Sequence, residues 1–249
     1  MSQTSRSGPA RLAIFKTGDS FSDVVQHHGD FEDLFIARLQ GFRQQGGIIE
    51  VIDVRHASLP AVSDQDGVIV TGSHAMVSDQ APWSEALKPW LRRAWQANLP
   101  LFGVCYGHQL MADAFGGVAG YHPSGRECGT RLLTLTDEGR KDPLFASLPE
   151  RFNAQLTHAQ SALTRPPQSM ILAANDHDPY QALRHGPRQY SVQFHPEFTP
   201  AVTAAYLAHQ REVLADQGED PDALHQGLRD TPEASSLLDA FALKMVISD

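Results

Sequence analysis

The chain of 249 residues is 41% hydrophobic and 20% charged, enough apolar material for one large domain or two small ones, and not the composition of a disordered chain. Its formal net charge of -9 argues against non-specific binding to nucleic acid or an anionic membrane, leaving small molecules and proteins as ligands. No apolar run approaches the roughly 20 residues of a membrane helix and the polar start MSQTSRSGPA lacks the apolar core of a secretory signal, so a cytoplasmic protein with Cys105 and Cys128 as free thiols is expected.

In chain order, RLAIFKTG (Arg11 to Gly18) reads as a buried first strand closed by a glycine. Phe31, Leu34, Phe35, Leu39 and Phe42 then recur at helical spacing, and Gly46-Gly47 stops that helix. IIEVIDV and GVIVTG are β-branched runs bounded by turn residues; SEALKPWLRRAWQAN returns to helical spacing with Pro89 inside it, and LFGVC is the next strand. This alternation predicts an α/β fold with a mixed, mostly parallel central sheet, helices on both faces, and ligands beyond the carboxyl ends of the strands. Further on, GTRLLTLT, RFNAQLTHA, SMILAAND, YQALRH and QYSVQFH are short strand-like runs between Gly, Pro and Asp clusters, which predicts an added antiparallel portion of the same sheet. AVTAAYLAHQREVLADQ is helical in composition. The polar segment GEDPDALHQGLRDTPEASS then leads to a last apolar helix, LLDAFALKMVI, in a C-terminal helical extension, so the chain divides into residues 1–217 and 218–249. That last stripe has to be buried, either on its own domain or on a second subunit.

The run Gly103-Val104-Cys105-Tyr106-Gly107 has the form of a nucleophile elbow, a tight strand-to-helix turn that lifts the central side chain above the sheet. Glycines on both sides let the strained turn form and the helix pack close. A thiolate is the reagent such a turn would supply, and the positive end of a helix with an imidazole nearby favours it. The turn alone leaves a buried packing cysteine as the alternative.

A thiol nucleophile needs a base. Of the twelve histidines, His27, His28, His185, His209 and His225 are assigned to the surface, whereas His195 follows the apolar strand Gln189 to Phe194 and opens His195-Pro196-Glu197. The proline turns the backbone so that His195 and Glu197 can face one another, and Glu197 could then orient the imidazole and stabilise its charged form. The competing reading is a strand-end turn with a solvated glutamate.

GVCYGHQL and VQFHPE, far apart and in that order, resemble the class I (triad) glutamine amidotransferase family over the span from about Leu12 to Leu214, in the form of a free-standing amidase domain similar to that of GMP synthetase. The resemblance implies a flavodoxin-like fold, with Cys105 as nucleophile, His195 as general base and then acid, and Glu197 as orienting carboxylate. It implies hydrolysis of the glutamine side-chain amide through a γ-glutamyl thioester, with an oxyanion hole from the backbone N–H of Tyr106 and one from the loop Thr71-Gly72-Ser73-His74. Family members often carry Gly-Gly in that loop, and here the second glycine is Ser73. Gln109 matches the family's substrate-contacting glutamine. Gly72, His158, Ala159 and Gln160 fall on substrate-binding segments, although Thr157-His158-Ala159-Gln160 departs from the family's His-Gly-Asp.

Cys128 is assigned to packing, and Glu127 faces either the pocket or solvent. His56, His122, His177 and Asp178 share no metal-ligand spacing, so no metal is expected; no phosphate loop follows the first strand, and no cofactor is expected either. Too few residues follow Leu214 for a synthetase. The partners expected are glutamine or a γ-glutamyl small molecule and, if the ammonia is used in synthesis, a synthetase on a separate chain; a homodimer is the other association left open. An independent γ-glutamyl hydrolase or peptidase, and a regulatory binding module that keeps the fold, are the alternatives.

Overall fold

The computed structural model describes residues 8–247. Its strands are β1 (Arg11–Lys16), β2 (Ile48–Asp53), β3 (Gly67–Val70), β4 (Leu101–Val104), β5 (Val118–Tyr121), β6 (Glu127–Leu135), β7 (Arg151–His158), β8 (Gln160–Thr164), β9 (Met170–Ala174), β10 (Ala182–Gly186) and β11 (Gln189–Val192). Its helices are α1 (Ser22–His28), α2 (Phe31–Arg38), α3 (Gln40–Gln44), α4 (Pro82–Gln96), α5 (Tyr106–Ala114), α6 (Pro200–His209), α7 (Arg211–Asp216), α8 (Pro221–Gln226) and α9 (Pro232–Phe241).

Nine strands form one mixed sheet in the order β2-β1-β3-β4-β11-β10-β9-β6-β7, and β5 pairs with β8 in a separate ribbon. The first five strands of that order are mutually parallel, and from β11 onward every pairing is antiparallel. QYSVQFH, expected in the antiparallel portion, supplies β11, which joins the two regions: it runs parallel to β4 and antiparallel to β10.

The unbroken apolar character of the parallel strands follows from burial on both faces. Leu12, Ile14, Ile69, Phe102 and Val104 point into one core with Phe35, Leu39, Phe42, Leu237 and Phe241. Ala13, Phe15, Val68, Val70 and Leu101 point into the other, against Leu87, Trp90 and Leu91 of α4 and Leu110 and Met111 of α5. The carboxyl ends of β3, β4 and β11 therefore emerge side by side between two filled layers, and the site stands there.

Two stretches expected as single helices are broken. The stretch from Phe31 divides at Leu39 (φ -102°, ψ 35°) because the Asp239 carboxylate of α9 accepts from the backbone N–H groups of Gly41 and Phe42, at 3.1 and 2.9 Å, and starts α3 afresh. The stretch after Pro200 divides at Gln210, whose side chain is bonded to Cys128 and Thr157. The C-terminal stripe is buried on its own chain, and after Phe241 it continues as a π-helical segment, Ala242–Ile247.

Candidate active site

At the end of β4 the chain reverses into α5 through Cys105, which has φ 51° and ψ -101°, a strained conformation for any residue other than glycine. The flanking glycines are required by space. A Cβ on Gly103 would lie 2.6 Å from Met111 Sδ and 2.7 Å from the Gly107 carbonyl, and one on Gly107 would lie 2.5 Å from the Val70 carbonyl oxygen. The turn is pinned by Cys105 N–H donating to Val192 (2.9 Å) and Gly107 N–H donating to Thr71 (3.2 Å). Cys105 is thus fixed to β11 behind it and to the β3 loop beside it.

His195 lies just past β11, its backbone N–H donating to Gln155 of β7 at 2.8 Å and its ring stacked on Phe198 at 4.1 Å. Nδ1 is 2.7 Å from Glu197 Oε1, both side chains are buried, and Arg38 holds the turn by donating to the Glu197 and Phe198 carbonyls. The competing picture of a solvated Glu197 therefore does not hold. Burial works against a charged His195 ring, but Glu197 and Cys105 outweigh it and push the pKa up to about 10. His195 Nε2 is sealed from solvent with no protein hydrogen-bond partner. The ring lies next to the cysteine: a Cβ built on Gly72 would be 3.0 Å from His195 Cε1 and 3.7 Å from Cys105 Cβ.

Cys105 and His195 share a cavity of about 240 Å³ with Ser73, Gln109, His158, Ala159 and Gln160. Ser73 fastens its loop: its hydroxyl donates to Thr17 O (2.8 Å) and accepts from Ala75 N–H (3.0 Å). Gln109 donates to the Gln160 carbonyl (2.6 Å) and to Gln193 Oε1 (3.1 Å). His158 Nδ1 meets the same Gln160 carbonyl at 3.0 Å, and the Gln160 side chain bonds Ser78 across the cavity mouth. Tyr106 and Glu197 stand behind this surface. The Tyr106 side chain turns to Ser84 (2.6 Å), so only its backbone is near the cysteine.

Several residues have surroundings other than those expected. Glu127 neither lines the cavity nor meets solvent: buried in β6, it accepts from Asn175 (2.5 Å) and Gln181 (2.8 Å) and pairs with His158 Nε2 (3.1 Å). Those contacts hold its pKa below the usual carboxylate value against the opposing effect of burial. His185, assigned to the surface, is 3% exposed; its Nε2 and the Nδ1 of His108 both bond Ser191 Oγ, and burial pushes its pKa down to about 3. Cys128 is buried and bonded to Gln210, and burial raises its thiol to about 11. Among the described residues no group of three or more His, Cys, Asp and Glu side chains could hold a metal ion. No helix of the described residues is long and apolar enough to cross a membrane.

Four further cavity residues carry polar or aromatic groups that sequence reasoning did not assign to the site: Phe21, His74, Arg126 and Tyr206. Phe21 packs on His74 and Tyr206 at 4.3 and 5.0 Å, and the Tyr206 hydroxyl bonds Ser20 and His74. Burial lowers the pKa of His74, and the nearby His195 and Arg126 charges act in the same direction.

Comparison with known proteins agrees with this architecture. A glutamine amidotransferase from Thermotoga maritima superposes with a TM-score of 0.74 at 17% identity, covering 96% of this chain and 99% of that one, which speaks to the fold. The free-standing glutamine-hydrolyzing subunit of the GMP synthase of Methanocaldococcus jannaschii is 34% identical over 59% of this chain and 70% of its own length. A γ-glutamyl-L-1-hydroxyisopropylamide hydrolase from a Pseudomonas species is 27% identical over 74% of this chain and 63% of its own length. Against two single-chain GMP synthases, of Thermosipho africanus and Syntrophomonas wolfei, the chain spans only 20% and 32% of the relative's length. The family profile described as glutamine amidotransferase class-I matches residues 24–212, and with the elbow, the cavity and the sheet in the same span, the chain belongs to the class I glutamine amidotransferases.

Proposed function

We propose that the protein hydrolyses the side-chain amide of glutamine through a cysteinyl thioester and that Cys105, His195 and Glu197 carry the reaction. The observation that carries this reading is the His195 to Glu197 contact at 2.7 Å, with the far ring nitrogen unpartnered in the pocket of an elbow cysteine. Cys105 Sγ attacks the amide carbon, and the negative charge that develops on oxygen is met by the backbone N–H groups of Tyr106 and Ser73. His195 then gives its proton to the departing nitrogen, the carbon–nitrogen bond breaks and ammonia leaves. Water, deprotonated by the same ring, attacks the thioester, and glutamate and the thiol are regenerated. Glu197 stays ionised and orients the ring. Residues 1–217 are the hydrolytic unit and 218–249 a buttress; released ammonia serves a separate synthetase chain.

A second reading, an independent γ-glutamyl hydrolase, is favoured by one observation. γ-Glutamyl peptidase 5 of Arabidopsis thaliana, at 23% identity, aligns over 77% of both chains, whereas the chain spans a far smaller share of the single-chain GMP synthases. Glutamate release from L-glutamine and from γ-glutamyl-ethylamide separates the two: the first reading expects a higher kcat/KM for glutamine. With either substrate, Cys105→Ser abolishes turnover and Cys128→Ser keeps most of it. Equal loss from both changes would overturn the assignment.

A further inference from the structure

The wall of the cavity carries a positive charge that no part of the chain neutralises. Arg126 lines the cavity beside Gln109, His158 and Gln160. Its Nε is sealed from solvent without a hydrogen-bond partner, and among the described residues its guanidinium forms no ion pair. The neighbouring carboxylate cannot serve, because Glu127 has both oxygens committed to Asn175, Gln181 and His158. Arg126 is also held in position. Its backbone N–H donates to Gln217 Oε1 at 3.0 Å, and Gly125 before it takes a φ of 83°, with that same Gln217 oxygen 3.0 Å from where a Cβ would stand.

A guanidinium partly withdrawn from water is costly unless an anion meets it, and its planar fork matches a carboxylate. In a molecule of net charge -9, such a group on a pocket wall selects for an anionic ligand. A γ-glutamyl substrate carries its α-carboxylate at the end remote from the scissile amide. With the amide carbon at Cys105, that end extends toward the wall shared by Gln109, His158 and Arg126. We propose that Arg126 recognises the α-carboxylate of the γ-glutamyl substrate and sets the specificity of the site for it. This rests on the hydrolytic reading above.

The test compares L-glutamine with L-glutaminamide, in which the α-carboxylate is a neutral amide, and with γ-glutamylglycine, which adds a second carboxylate on the departing amine. Arg126→Met is expected to raise the KM for L-glutamine about 10- to 100-fold with a far smaller change in kcat, the scale of a lost charge-assisted fork. The KM for L-glutaminamide should shift by less than about twofold under the same relation between binding loss and KM. Arg126→Lys, which keeps the charge and loses the fork, should fall between and serves as the reading variant if Arg126→Met does not fold. Equal losses with glutamine and glutaminamide would overturn the proposal, and a loss confined to γ-glutamylglycine would move the contact to the departing group and overturn it as well. Calorimetric binding of L-glutamine to Cys105→Ala protein, with and without Arg126→Met, keeps the two readings apart. Binding that depends on Arg126 without turnover in the native protein sinks the hydrolytic reading alone; turnover that ignores Arg126 sinks this one alone.

Discussion

Phe241→Ala tests whether the C-terminal helix belongs to the core of this chain or is merely parked there until a partner takes it. Phe241 is fully buried and packs on Phe102 of β4 with ring centroids 5.1 Å apart, on the strand that ends at Cys105. Leu237 and Leu238 share that core with it, at 1% and 0% exposure. Removing the ring loses its transfer free energy and leaves a cavity walled by two layers of secondary structure, so the expected cost is about 3–5 kcal/mol. For a chain of this size each kcal/mol moves the midpoint by about 2–4 °C, so thermal unfolding should shift down by roughly 6–20 °C. The assay is the melting temperature of dilute protein over a tenfold concentration range, with solution mass measured in parallel. A helix held in reserve for a synthetase would leave Phe241→Ala within a couple of degrees of the native protein. That result, or a cost that appears only when a second chain is added, would refute same-chain burial.

Gly107→Ala should cost about 1–3 kcal/mol and most of the turnover, because its Cβ would stand 2.5 Å from the Val70 carbonyl oxygen and 3.0 Å from Val70 Cβ, forcing α5 and Cys105 away from β3; an unchanged melting temperature would show that the elbow has slack. Glu197→Gln removes the carboxylate that helps lift the His195 pKa from its ordinary 6.5 to about 10. A raised folded-state pKa contributes stability that is complete below the ordinary value and is lost as pH rises through the folded one, so the native protein should lose this contribution between about pH 6.5 and 10. In Glu197→Gln the fall in melting temperature across that window should be smaller, and turnover should drop by less than in His195→Ala. Full activity in Glu197→Gln would reject the orienting role.

The parts of this protein legible in its sequence are those whose physics is local. The elbow reads directly because its two glycines lie two residues either side of Cys105 and the clash each avoids is with the strand and helix they join. His195 and Glu197 read directly because one proline separates them. Apolar continuity marked β1, β3 and β4 because burial on both faces leaves no polar alternation. The helix break at Leu39 was not legible, since the carboxylate that causes it comes from Asp239 at the other end of the chain. His185 looked like a surface residue because nothing near it in sequence shows that Ser191, across the β10–β11 turn, offers it an oxygen inside the sheet.

The polar wall of the cavity illustrates the same distinction more sharply. Glu127 and His158 face each other as ladder partners in the β6–β7 register, and that register is set by the pairing of whole strands, so neither residue's neighbours reveal the match. Once the pairing exists, its effects spread: His158 and Gln109 both reach the Gln160 carbonyl, and the Gln160 side chain ties the β7–β8 turn to Ser78 across the mouth. With Glu127 consumed in this way, the adjacent Arg126 is left without an acid, although the two stand side by side in the sequence and a solvated chain would let them compensate each other. The pocket's free positive charge is thus a product of strand register, which turns one member of an acid-base pair inward to fix a loop and leaves the other facing the ligand.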